Sequence, residues 1–137
     1  MSIFNKHSAE LLILLFFIIT YLFSISEKLT DWKGTIAYYT NHFKGTFIQK
    51  LIPILLVKII LFETLSCVLL IIGLYLLVFE NSLVIAKIGL EISALILLSF
   101  LIGQRIAKDY PGAMNITVYF ILNIIGIYIL TTWFPII

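Results

Sequence analysis

Residues 56–73, LVKIILFETLSCVLLIIG, are apolar enough to face lipid at every position except Lys58 and Glu63. A run of about 18 or more apolar residues reads as a membrane-spanning helix. A charge placed in hydrocarbon is costly, so an ionisable residue there faces the interior of a bundle, pairs, or reaches the headgroups. The two exceptions therefore predict a helix with an inward side, and hence a bundle around it.

The rest of the chain agrees. Its 137 residues are 62% hydrophobic and 12% charged, with a mean hydropathy of +1.16, whereas soluble domains are about 25% charged. The apolar residues fall in long blocks, not in the alternating segments of a membrane barrel, so the expected class is all-α. A formal charge of +2 on dispersed lysines does not make a nucleic-acid surface. Membrane lipid and membrane protein are the natural partners. The single cysteine, Cys67, excludes an internal disulfide and a CxxC redox pair; at mid-span it is expected to be a small packing residue.

Four spans are predicted in a single domain, 1–137. The first covers residues 9–26, an apolar run longer than the roughly 7–15 residues of a signal-peptide core. The second covers 51–79, with Pro53 in the first turn, where a missing N–H costs nothing. The third, 82–103, follows only Glu80-Asn81, so spans two and three form an antiparallel hairpin. The fourth, 111–133, begins at DYPG, where Asp109 caps and Pro111 enters the first turn, and Trp133 closes it as an interfacial aromatic.

Between the first two spans, Trp32, Ile36, Tyr39, Phe43 and Phe47 recur at three- and four-residue steps, with Lys33, Asn41 and Lys44 elsewhere. This predicts an amphipathic interfacial helix bounded by Gly34 and Gly45. A ligand wall is the other reading of the same stripe.

The tight hairpin sets depth. Glu63 falls near the level of Leu98, and Lys58 near Gly103, with Gln104, Arg105, Glu27, Lys28 and Asn115 close to that level. Lys58 is long enough to snorkel. Glu63 lies roughly 7 Å deeper and must be paired, neutral or wetted. Two readings stand open: a lock formed with Arg105 or Lys28, and a polar pocket or proton path. On the fourth span Asn115, Tyr119, Asn123 and Gly126 follow at four and three residues and are expected on one face; as a pocket wall they would join Glu63, and as packing residues they would hydrogen-bond between helices. On the third span Lys87 and Glu91 are spaced to pair. Gly89 and Ser93 form a small-xxx-small pattern that admits a close helix. His7 and His42 have no ligand at metal or haem spacing and are expected at the surface. No nucleophile elbow, phosphate loop or dinucleotide fingerprint is present.

Three segments resemble the DoxX-type family of small membrane proteins: FSISEKLTDWKGTIAYY (23–39), FETLSCVLLIIGLY (62–75) and DYPGAMNITVYFILNIIGIYIL (109–130). Lys28, Glu63 and Gly73 fall on the positions that carry the likeness. The resemblance implies a multi-pass four-helix bundle in the bacterial cytoplasmic (inner) membrane, in a family whose members include a small subunit associated with quinone-linked thiosulfate oxidation. It does not imply catalysis by every member, and no cysteine pair, haem ligand or flavin motif accompanies it here. A related methylamine-utilisation membrane family shares the plan, and the lone Cys67 departs from any thiol relay.

The expected function is a non-catalytic accessory subunit of a larger bacterial membrane complex, with no cofactor of its own. The alternative is a quinone- or lipophile-linked component of a membrane oxidoreductase, with Glu63, Arg105 and Tyr119 around a quinone or lipid headgroup. A transporter would call for broken helices, which the four spans do not show. Lys28, Lys33, Lys44, Lys50, Arg105 and Lys108 lie on one face and only Lys6 and Lys87 near the other, so the positive-inside rule expects the polar face in the cytoplasm and both termini outside. The family resemblance implies cytoplasmic termini instead.

Overall fold

A computed structural model describes residues 3–132. Its elements are α1 (Ile3–Thr30), α2 (Trp32–His42), a 3-10 turn (Gln49–Leu51), α3 (Ile52–Glu80), α4 (Val84–Ile106) and α5 (Tyr110–Thr132). The helices α1, α3, α4 and α5 are each long and apolar enough to cross a membrane. The protein is thus an all-α, multi-pass bundle, as its composition predicts. Trp133, expected to close the fourth span, lies outside the described residues.

The four spans follow one another around the bundle: α1 packs on α3, α3 on α4, α4 on α5, and α5 back on α1. Sequence neighbours are thus spatial neighbours, the arrangement short connections favour. The interior holds Leu14 and Phe17 of α1, Leu70 and Leu77 of α3, Ala86 and Leu90 of α4, and Leu130 of α5.

Lipid tails are as apolar as leucine, so helices in a membrane are held by close packing and interhelical hydrogen bonds. The α3–α4 hairpin has both. Gly73 lies against the backbone of Ala86, where any Cβ would stand 2.5 Å from the Ala86 Cα. Gly89 admits Leu70, and Ser66 Oγ donates to the Gly89 carbonyl at 2.9 Å. The close helix expected at Gly89 and Ser93 is therefore α3 of this chain, joined at Ser93 by Tyr21 of α1, whose hydroxyl shares a hydrogen bond with the Ser93 hydroxyl. That bond crosses the bundle diagonally. Gly73 meets Ala86 and Leu70 meets Gly89 two residues short of the expected register, and the turn itself uses three residues, with Asn81 left-handed (φ 54°) as the C-cap of α3.

Two aspartates start helices in the same way. Asp31 Oδ1 accepts from Gly34 N at 3.1 Å, and Asp109 Oδ1 from Gly112 N at 2.9 Å. Gly34 is therefore inside the first turn of α2 and does not bound it, since a Cβ there would strike the capping carboxylate. Gly45, at φ +80°, follows the helix as expected of a boundary.

The two histidines are not free surface residues. His7, fully buried at a kink in α1, has Nε2 3.1 Å from Asn81 Oδ1 and Nδ1 3.9 Å from Glu10 Oε2. His42 Nε2 lies 2.9 Å from Gln104 Oε1 and 3.5 Å from Asp109 Oδ2. Each pins a helix end to the turn across from it, which isolated sequence positions do not reveal.

Candidate functional site

Glu63 is fully buried on the inward side of α3. Its partner is Lys28, in the last turns of α1: the ammonium lies 3.2 Å from Oε2 and 3.3 Å from Oε1. Ser24, one turn before Lys28, completes the group. Its hydroxyl donates to Glu63 Oε1 at 2.9 Å and accepts from Lys28 Nζ at 2.5 Å. Both carboxylate oxygens are thus held by donors. Removing either charge would leave the other buried and uncompensated.

Of the two expected partners for Glu63, Lys28 takes the position and Arg105 does not. Arg105 is exposed, and its guanidinium carbon sits 5.1 Å from the centre of the Tyr110 ring. The inward side of α4 runs through Ser93, Ile96 and Leu97, and at about 100° per residue Arg105 is turned some 80° from Leu97. It belongs with the lipid-facing residues Leu98 and Ile102.

The fourth-span stripe divides for the same reason. Asn123 and Gly126 are buried, Tyr119 is half-buried with its ring 5.9 Å from Phe16, and Asn115 is exposed. Two successive four-residue steps rotate about 80°, so Ile116, seven residues before Asn123, holds the inward position expected of Asn115. Asn123 does not join Glu63. Its amide is fully buried, and neither polar atom has a hydrogen-bond partner among the described residues. Lys87 and Glu91 pair at 3.9 Å near the other end of the bundle.

Two hollows meet at the Lys28 group. A polar cup of about 300 Å³ lies on the α2 side, walled by Ser24, Glu27, Lys28, Asp31, Thr35, Tyr38 and Tyr39. The larger is a groove of about 660 Å³ between α2, the start of α3 and the end of α4, within the 300–1,000 Å³ usual for small-molecule sites. Phe43, Phe47, Ile52, Leu56, Ile59, Phe62, Phe100 and Ile102 give it apolar walls, and Ser24, Lys28, Tyr39, Lys58, Ser99 and Gln104 are its polar positions. Ser24, Lys28 and Tyr39 border both hollows.

The aromatic stripe of α2 makes this possible. Trp32, Ile36 and Tyr39 pack with Phe43 onto Ile52, Leu56 and Ala107, holding α2 against the bundle as one roof of the groove. Phe47, read as the last member of the stripe, is 78% exposed and forms part of the rim. The two readings of the stripe are therefore joined: the helix lies across the end of the bundle and also lines a hollow.

Sequence reasoning passed over Ser24, Tyr21 and Ser66. Ser24 carried a usable signal, standing four residues before Lys28 and so on its side of the helix. Tyr21 and Ser66 carried none, since each bonds to a helix distant in sequence. Chemically, the Lys28 group offers hydrogen-bond donors and acceptors at the boundary between a polar hollow and an apolar one. No protein-family model, curated protein or solved structure matches this chain.

Proposed function

We propose that this chain is a non-catalytic integral subunit of a larger bacterial cytoplasmic-membrane complex, to which it contributes a lipophile held in the groove beneath α2. The observation that carries the reading is the groove itself: about 660 Å³, apolar along its length and polar beside Lys28, Ser24 and Tyr39. An occupant matching it is amphiphilic, with an apolar body and a small polar head. The DoxX-type resemblance of residues 23–39, 62–75 and 109–130 supports the same assignment, and so does a chain given over almost wholly to spans and short connections.

A quinone-linked redox role is the second reading. Ser24 and Lys28 favour it, because they present hydrogen-bonding groups to which a ring carbonyl could bind. Arg105 and Tyr119 are not part of that group. Purification of the tagged protein from native membranes in mild detergent, followed by mass spectrometry and organic extraction, tests both readings. Stable co-purification with other membrane proteins and a lipid is the expected result. A chain found consistently alone and carrying quinone would replace the first reading with the second, and a chain alone and empty would defeat both.

A further inference from the structure

The groove has a charge as well as a shape. Among its lining residues are two lysines, Lys28 and Lys58, and no aspartate or glutamate. Lys28 is neutralised in place by Glu63. Lys58 has no ion-pair partner among the described residues, so the groove carries one uncompensated positive charge at the level where the second span enters the membrane. The walls beside it run into lipid-facing surface, with Phe62 53% and Ile102 61% exposed. An occupant can therefore enter sideways from the bilayer without crossing water.

We propose that the groove selects an anionic phospholipid, one acyl chain lying along Ile59, Phe62 and Phe100 and the phosphate set against the Lys58 ammonium. This rests on the reading of the groove as a lipophile site and adds the class of lipophile. Charge complementarity decides between lipids. A zwitterionic lipid brings its own cation to a groove that has no carboxylate to receive it, whereas an anionic head meets the unpaired lysine. One lysine acting on an anionic lipid favours it by about fivefold. Snorkelling of Lys58 and headgroup binding are then one act, the stem lying along the apolar wall and the ammonium at the phosphate.

Trp32 reports occupancy, because it packs with Phe43, Ile52 and Leu56, three residues that line the groove. The chain has two tryptophans, so a Trp133→Phe background leaves Trp32 as the sole emitter. This protein is reconstituted in phosphatidylcholine vesicles in which the minor component is acyl-brominated phosphatidylglycerol or acyl-brominated phosphatidylcholine, and quenching of Trp32 is compared. The expected result is about fivefold stronger apparent association of the anionic lipid. Lys58→Gln should bring the two lipids level. Gly103→Leu should weaken quenching by both, since a Cβ at Gly103 makes only ordinary contact with Phe43, at 3.5 Å, and Gly103 lines the groove, which the added side chain would narrow. Helicity and elution volume of both variants establish that they fold.

Equal quenching by the two lipids in the parent, weakened by Gly103→Leu, would overturn the anionic selection and leave the lipophile reading standing. An anionic preference that survives Lys58→Gln would overturn the assignment to Lys58. Quenching unaffected by Gly103→Leu would show the groove to be empty and overturn both readings.

Discussion

At the scale of single residues, the Lys28–Ser24–Glu63 group separates charge from shape. Glu63→Gln keeps an acceptor for Ser24 and Lys28 and should preserve assembly of the bundle. Glu63→Ala leaves the buried Lys28 ammonium without its counter-charge, which in soluble interiors costs about 3–5 kcal/mol. Thermal denaturation in detergent should therefore rank the parent above Glu63→Gln, which loses the charge but keeps an acceptor, and Glu63→Gln above Glu63→Ala, which loses both. A Lys28→Met/Glu63→Leu double variant should recover much of the loss, because replacing both partners by apolar residues removes the uncompensated charge. Should the double variant melt as low as Glu63→Ala, the group would matter for something other than charge balance. Depth made Glu63 legible in the sequence: a carboxylate over a turn below the headgroups needs a partner, and only Lys28 and Arg105 were near its level. Choosing between them required knowing which way α4 faces in its last turns. Rotation about a helix accumulates over twelve residues, so a small error in the turn per residue from Ser93 becomes a different face at Arg105.

At the scale of elements, α2 is the part whose stability should depend on pH. Burial, and after it the negative charge of Tyr38, Glu63 and Glu27 when ionised, raise the Tyr39 phenol above its ordinary 10.0. Below that value the phenol is neutral in folded and unfolded chains alike, and its contribution is fully present. As the pH rises past about 10 the unfolded chain ionises while the folded one resists, so stability falls until the folded value is passed. Tyr39→Phe should lessen the difference in stability between about pH 8 and about pH 11, measured by denaturation in detergent. An unchanged difference would mean that other groups set the alkaline limit. The hairpin gives a second expectation. Gly73→Ala forces α3 away from the Ala86 backbone, and strain of this kind typically costs about 1–3 kcal/mol. Ala at Gly103, with open contact to Phe43, should cost far less. The sequence made the hairpin readable through its apolar blocks and short turn, but it gave no sign that Gly73, quoted for the family likeness, is the point of closest helix approach. That depends on the register, which stands two positions from the one that the hairpin's short turn predicts.

At the scale of the whole molecule, four spans place the start of α1 and the end of α5 on one membrane face and α2 with the groove on the other. Lys28, Lys33, Lys44, Lys50, Lys58, Arg105 and Lys108 gather on the groove side, against Lys6 and Lys87 on the other. Buried Lys28 is balanced by Glu63 and contributes little to the topology signal, but the remaining cations keep the same sign of asymmetry. The positive-inside rule counts Lys and Arg in short connections near span ends, and here both groove-side connections are short. The DoxX-type resemblance implies the opposite orientation, so the two arguments meet in one measurable quantity. Charge predicts that the groove faces the cytoplasm, where a surface rich in anionic lipid would supply the occupant proposed for it. Fusing a reporter after Ile137 should then give activity with a periplasmic reporter and none with a cytoplasmic one. The reverse pattern would place α2 and the groove outside and would show that partner contacts, rather than loop lysines, set the topology. In that case, changing Lys44 and Lys50 to Gln should leave the orientation as it was, whereas under charge control the same changes should produce a mixed population.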